Sequence, residues 1–173
     1  MSDGYRAPVI RAARPADHTQ LQDIERRAGE LFRAIGMPEI ADDEPPDADH
    51  LASAAALYVA ADEADEPVGY ALVELVDGHV HLEQLSVVPE LGGQGIGTAL
   101  LEAVVDWARA RGDAEVTLTT FRDVPFNAPL YAKRGFRVVD EREWTDGLRA
   151  VVDTEAANGL DVTARVVMSR PLQ

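Results

Sequence analysis

Apolar residues recur at Leu21, Ile24, Ala28, Leu31, Phe32 and Ile35. That three-and-four spacing turns one face of a helix inward. Arg14-Pro15-Ala16-Asp17 opens the run, with proline in the first turn where its missing N–H is harmless. Gly36 and Pro38 end it, and a short strand from Val9 to Ala12 comes before it. From Gly36 to Asp49 the pattern dissolves among prolines and acids, which predicts a loop, with a brief helix around Asp49 to Ala56. The period then changes to that of strands: Leu57 to Ala61, Pro67 to Val76, and His79 to Val88. Asp77-Gly78 between the last two is a strong hairpin signal.

Leu100, Leu101, Val104, Val105 and Ala108 restore helical spacing over Gly97 to Arg111, and Gly112 stops it. Val116 to Phe121 reads as a β-branched strand, followed by a short helix from about Pro125 to Arg134 that Gly135 ends. Phe136 to Asp140 predicts another strand, Gly147 to Ala157 a helix stopped by Gly159, and Ala164 to Ser169 the closing strand. No repeat and no change of composition interrupts this order. The expectation is a single domain over residues 1–173, of α/β class, with a central mixed sheet and helices on both faces.

Composition narrows the possibilities. A chain of 173 residues, 46% hydrophobic, suits one domain with a substantial core. No apolar run is long enough to span a bilayer, and Met1-Ser2-Asp3-Gly4-Tyr5-Arg6 lacks the apolar stretch of a signal peptide. The expectation is therefore a cytoplasmic protein with no membrane partner. A net charge of −15 disfavours nucleic acid, which needs a basic stripe. With no cysteine there is no disulfide and no thiolate chemistry. His79 and His81 share a strand face but lack an evident third ligand, so no metal is expected. Two acidic clusters stand out: Asp42, Asp43, Glu44, Asp47 and Asp49, then Asp62, Glu63, Asp65 and Glu66. Both suit solvated loops; the first could also draw in a cationic amine.

The segment with most chemistry runs from Leu82 to Trp107. A strand-like run to Val88 meets Pro89, then Glu90-Leu91-Gly92-Gly93-Gln94-Gly95-Ile96-Gly97, then the helix. Small residues at the mouth of a helix leave backbone N–H groups outward, and with the helix dipole they favour a phosphate. A dinucleotide fingerprint fails: its last glycine would fall on Thr98 or Leu100. A Walker A loop also fails, because Thr98-Ala99 stands where Lys-Ser/Thr is needed. The segment instead resembles motif A of the GCN5-related N-acetyltransferases (GNAT), Gln/Arg-x-x-Gly-x-Gly/Ala, with Gly95 and Gly97 at the small positions and Gly92 in place of the usual Gln or Arg. Asn127-Ala128-Pro129-Leu130-Tyr131-Ala132-Lys133-Arg134-Gly135-Phe136 resembles the family's motif B. The likeness extends over essentially the whole chain.

That resemblance implies an acyl-CoA N-acyltransferase fold with a twisted sheet, and an acetyl-CoA-dependent enzyme that acetylates a primary amine by direct attack on the thioester. It implies that Gly93, Gln94, Gly95, Ile96, Gly97 and Thr98 hold the pyrophosphate of acetyl-CoA. The backbones of Leu85, Ser86 and Val87 would then pair with the pantetheine arm. Tyr131, at the motif B spacing, would protonate the leaving thiolate. Asn127, one turn earlier on the same helix face, could bond the cofactor's amides, although the family's usual asparagine falls on Val124. Glu83, with His79, His81 and Leu85 on one strand face, occupies the place of an acid in spermidine/spermine acetyltransferases and would act as base, with His81 second. The acceptor is expected to be a small cationic amine. A peptide or protein acceptor, and a non-catalytic acyl-CoA sensor, are the alternatives. Edge strands of such sheets often pair, so a homodimer is open.

Overall fold

The computed structural model describes residues 6–161 and 163–173. Its elements are β1 (Val9–Ala12), α1 (His18–Arg33), α2 (Pro38–Ala41), α3 (Ala48–Ala52), β2 (Ala56–Ala61), β3 (Pro67–Val76), β4 (His79–Val87) and α4 (Ile96–Arg111). They continue as β5 (Glu115–Phe121), α5 (Ala128–Ala132), β6 (Arg137–Val138), α6 (Asp146–Ala157) and β7 (Arg165–Pro171). The strands are hydrogen-bonded in the order β1-β2-β3-β4-β5-β7-β6. β1–β2, β2–β3, β5–β7 and β6–β7 pair antiparallel, whereas β4–β5 pair in parallel, so the sheet is mixed. β4 meets β5 at two positions, His81–Thr117 and Leu82–Leu118. Among the described residues no helix is long and apolar enough to cross a membrane.

The chain forms two compact units. One takes the chain up to Val73 together with Gln84–Val104; the other takes Glu74–Glu83 and Val105–Gln173. In the first, Leu21 and Ile24 of α1 pack with Leu51, Val59, Tyr70, Leu72 and Val88. The helical spacing of α1 presents those residues on one face, and the period-two alternation of β2 and β3 presents theirs. Gln20 donates its side-chain N–H to the Pro67 carbonyl at 2.9 Å, which adds a polar tie between α1 and the start of β3. Gly69 permits a close approach there: a Cβ at this position would lie 3.1 Å from the Ser86 carbonyl oxygen.

In the second unit β5 and β7 run antiparallel through seven register pairs, Glu115–Pro171 to Phe121–Arg165. α6 is tied to this unit at both ends. Thr145 caps it by accepting from the Leu148 N–H at 3.2 Å, and Asp77 accepts from the Gly147 N–H at 2.9 Å. Near its other end Glu155 accepts from Thr119 of β5 and from Arg165 of β7, the latter at 2.6 Å.

The β3–β4 hairpin closes on Asp77 and Gly78, both with positive φ (51° and 78°), as a two-residue turn requires. Three expected elements differ. The predicted loop from Gly36 to Asp49 contains α2, because Pro38 sits at a first helical position with φ already suited to it. The predicted Pro125 to Arg134 helix shrinks to Ala128–Ala132, since Asn127 holds φ −116° and ψ −118°, outside the helical region. The strand expected over Phe136 to Asp140 is reduced to Arg137–Val138, with the Val139 N–H still donating to the Val167 carbonyl at 2.8 Å, and Asp140 instead caps a 3₁₀ turn by accepting from the Arg142 N–H.

Candidate active site

The loop between β4 and α4 is shaped by two glycines in the left-handed region, Gly93 at φ 76° and Gly95 at φ 85°. A Cβ at either would meet nothing within 4 Å, so glycine is needed there for its backbone freedom. Gly95 accepts the Ala99 N–H at 3.0 Å, which makes it the residue that starts the α4 ladder. The N–H groups of Ile96, Gly97 and Thr98 therefore have no earlier carbonyl of the helix to meet. Gly92 to Gly95 are exposed, while the Ile96 side chain is buried and anchors the first turn. Arg27 of α1 pairs with Glu90, which ties the approach to this loop to α1. The arrangement offers positive backbone dipole to an anion.

Upstream, in the same unit, β4 carries Gln84, Leu85, Ser86 and Val87. The Ser86 hydroxyl donates to Glu25 Oε2 at 2.6 Å, so this side chain is committed. Glu25, on α1, is the functional candidate that sequence reasoning passed over. Its Oε2 also accepts from the Tyr70 hydroxyl at 2.6 Å, and its Oε1 accepts from the Gln84 amide at 2.7 Å. Gln84 leans on Ser86 Oγ as well, at 3.3 Å. Burial pushes the Glu25 carboxyl above its ordinary value, and the negative charge of Asp43 acts in the same direction. The Ser86 and Tyr70 hydrogen bonds oppose the rise without cancelling it. A signal was present in the sequence: Glu25 follows Leu21 by four residues, inside the apolar stripe of α1.

In the other unit, Tyr131 lies in α5 with its ring edge-on to Phe136, centroids 5.7 Å apart. Burial pushes its phenol above the ordinary value. Asn127, just before α5, uses its Oδ1 to accept the Phe121 N–H at 3.4 Å and so holds the end of β5. Glu83 is half-buried on β4. His81 is 1% exposed, its Nδ1 2.8 Å from the Thr117 hydroxyl, and burial pushes it down to about 4. Although His79 shares its strand face, it is exposed and lies 3.5 Å from Asp113.

The acidic clusters divide by role. Asp62 accepts from the Ala64 and Glu66 N–H groups, and Asp65 pairs with Arg11 and Arg14, so much of the second cluster builds a turn. In the first, Asp47 caps α3 and Asp42 pairs with Arg33. A cavity of about 290 Å³ remains there, lined by Arg26, Glu30, Asp42, Asp43, Glu44 and Pro45 together with Ala41.

A mixed sheet whose parallel strands β4 and β5 are joined through a glycine loop and a long helix is the fold shared with solved N-acetyltransferases. Residues 19–136 match the acetyltransferase (GNAT) family, and the chain belongs to that family. It is 28% identical over 72 residues to an uncharacterized N-acetyltransferase, YobR, of Bacillus subtilis; the match takes in 42% of this chain and 29% of that relative's length. The PaiA N-acetyltransferase of Thermoplasma acidophilum, solved with coenzyme A, superposes with a TM-score of 0.68 at 17% identity, covering 96% of this chain and 100% of that one. The ribosomal-protein-S18-alanine N-acetyltransferase of Escherichia coli does so with a TM-score of 0.67 at 20% identity, covering 95% and 94%.

Proposed function

We propose that this protein transfers the acetyl group of acetyl-CoA to a primary amine of a small cationic molecule. The observation that carries the reading is the exposed Gly93–Gly95 loop at the head of α4, in a chain of this family. In this reading the amides of Gly93, Gln94, Gly95, Ile96, Gly97 and Thr98 bind the pyrophosphate. The backbones of Leu85, Ser86 and Val87 bind the pantetheine arm, and one of their N–H groups faces the developing oxyanion. Losing such a donor costs on the order of 10²–10³ in rate. The β4–β5 register takes in His81 and Leu82 and stops short of Leu85, which supports a backbone role for Leu85, Ser86 and Val87.

Tyr131 gives its proton to the leaving thiolate. Burial keeps the phenol protonated through the physiological range, which is the form an acid needs. Tyr131→Phe is expected to lower kcat with little change in acetyl-CoA affinity; unchanged turnover would remove Tyr131 from the reaction. The acidic cavity beside α1 supports a cationic acceptor: Glu30 and Asp42 on its wall pair with Arg33, and Asp43 and Glu44 still outnumber Arg26.

The test is thiol release from acetyl-CoA by the purified protein with polyamines, aminoglycosides, amino acids and short peptides. Release above the amine-free background with a small amine supports the reading. Release with peptides alone would replace the acceptor class, and tight acetyl-CoA binding without release would favour a sensor.

A further inference from the structure

We infer that Glu25 is the group that receives the acceptor amine and takes its proton, an inference that rests on the transferase reading above. The geometry is that of a held carboxylate with one position unspent. Oε2 accepts from two hydroxyls, Tyr70 and Ser86, while among the described residues Oε1 accepts from Gln84 alone. A carboxylate oxygen has two lone pairs, so Oε1 keeps one for a further donor. The residue is half-buried rather than sealed. Its supports are stiff: Tyr70 is fully buried in β3, and Ser86 is buried in β4. The two β4 side chains that hold Glu25, Gln84 and Ser86, flank Leu85 on the strand assigned to the thioester arm. A base fixed to that strand has its position defined relative to the bond that reacts.

Chemistry favours this residue over a merely structural one. A neutral glutamine could pack α1 against β3 and β4 without charge burial, so an ionisable group here is costly unless its proton is used. Among the described residues, the charged or titratable groups that act on Glu25 are Tyr70 from β3 and Asp43 from the segment between α2 and α3, and β4 contributes the uncharged Gln84 and Ser86. Asp43 adds negative charge and so also favours an incoming ammonium. A lysine-like ammonium is neutral only to about 10⁻³–10⁻⁴ at pH 7, which makes its deprotonation a real part of the barrier.

An ammonium donates one proton to Glu25 Oε1 and becomes a neutral amine. The nitrogen lone pair forms a C–N bond to the thioester carbon, whose π electrons move to oxygen. Collapse breaks the C–S bond, and the thiolate takes a proton from Tyr131. The amide nitrogen releases its second proton, which returns the phenol to its protonated form through solvent, and Glu25 passes its proton to bulk water.

The experiment uses the best amine from the panel above. Glu25→Gln is expected to lower kcat/KM about 100-fold at pH 7, to leave acetyl-CoA affinity by calorimetry within about threefold, and to remove the acidic limb of the kcat/KM–pH profile. If Glu25→Gln does not fold, Glu25→Asp replaces it; the shorter carboxylate should keep the limb with a smaller loss of rate. A Glu25→Gln protein that retains turnover within threefold with its acidic limb intact overturns the assignment. So does a larger loss and a lost limb in Glu83→Gln alone. Either outcome leaves the transferase reading standing, because the wild type still turns over. A wild type that releases no thiol with any amine overturns both.

Discussion

Half-buried Glu25 and buried His81 are ionisable side chains at β4, one in each compact unit, and desolvation favours the neutral form of both. It raises the glutamate and lowers the histidine to about 4. Their surroundings are otherwise unlike. Glu25 is half-buried, with three donors and a spare acceptor position. His81 is sealed against Thr117 on the neighbouring strand. A perturbed titration therefore marks burial in both cases, and only the unspent valence and access separate a chemical group from a packed one.

The two groups should bend stability in opposite directions with pH. The unfolded chain binds a proton on His81 near pH 6.5, and the folded chain waits until about 4. Between those values the unfolded state holds more protons, so stability present above 6.5 is lost as pH falls. At about 1.4 kcal/mol per unit the full loss is about 3 kcal/mol. Urea unfolding from pH 7 to 4 should show His81→Gln losing that much less than the wild type; equal slopes would mean that His81 is not sealed.

Next in size is the anion cradle. Gly95→Asp strains a φ of 85° and puts negative charge at the head of α4. Acetyl-CoA affinity should fall at least about tenfold, or about 1.4 kcal/mol, while equal affinity by calorimetry would defeat the cradle. Thr145→Ala, which removes the α6 cap, should cost about 1 kcal/mol in thermal unfolding with no change in acetyl-CoA affinity. For Glu25 the expected outcome is one of sign. Its folded value is raised, so below about pH 4.5 its contribution is fully present, and it declines as pH rises through the folded value. Glu25→Gln should therefore gain stability relative to wild type at pH 7 and lose that gain at pH 4; a reversed trend would mean that the carboxylate is preferentially charged.

Much of the fold was legible because its signals are local. Asp77-Gly78 between alternating runs predicted the hairpin, and Leu100 to Ala108 predicted the buried face of α4. Gly93 and Gly95 marked the loop because only glycine readily takes its backbone angles. The shortened α5 and the two-residue β6 were less legible, since a side-chain bond from Asn127 to β5 and a cap at Asp140 decide their ends. Glu83 drew attention through its place in a family pattern. Glu25 did not, because its meaning depends on which polar groups lie across from it.

The order of elements, the glycine loop before α4 and the family were determined by the sequence, through spacings that need only neighbouring residues. Which ionisable groups are enclosed, and with what partners, was decided by the tertiary structure. Glu25 meets Tyr70, Gln84 and Ser86 across 45, 59 and 61 residues, and His81 meets Thr117 across 36. Desolvation and hydrogen bonding act on whatever packing brings within about 3 Å, and no local period records that.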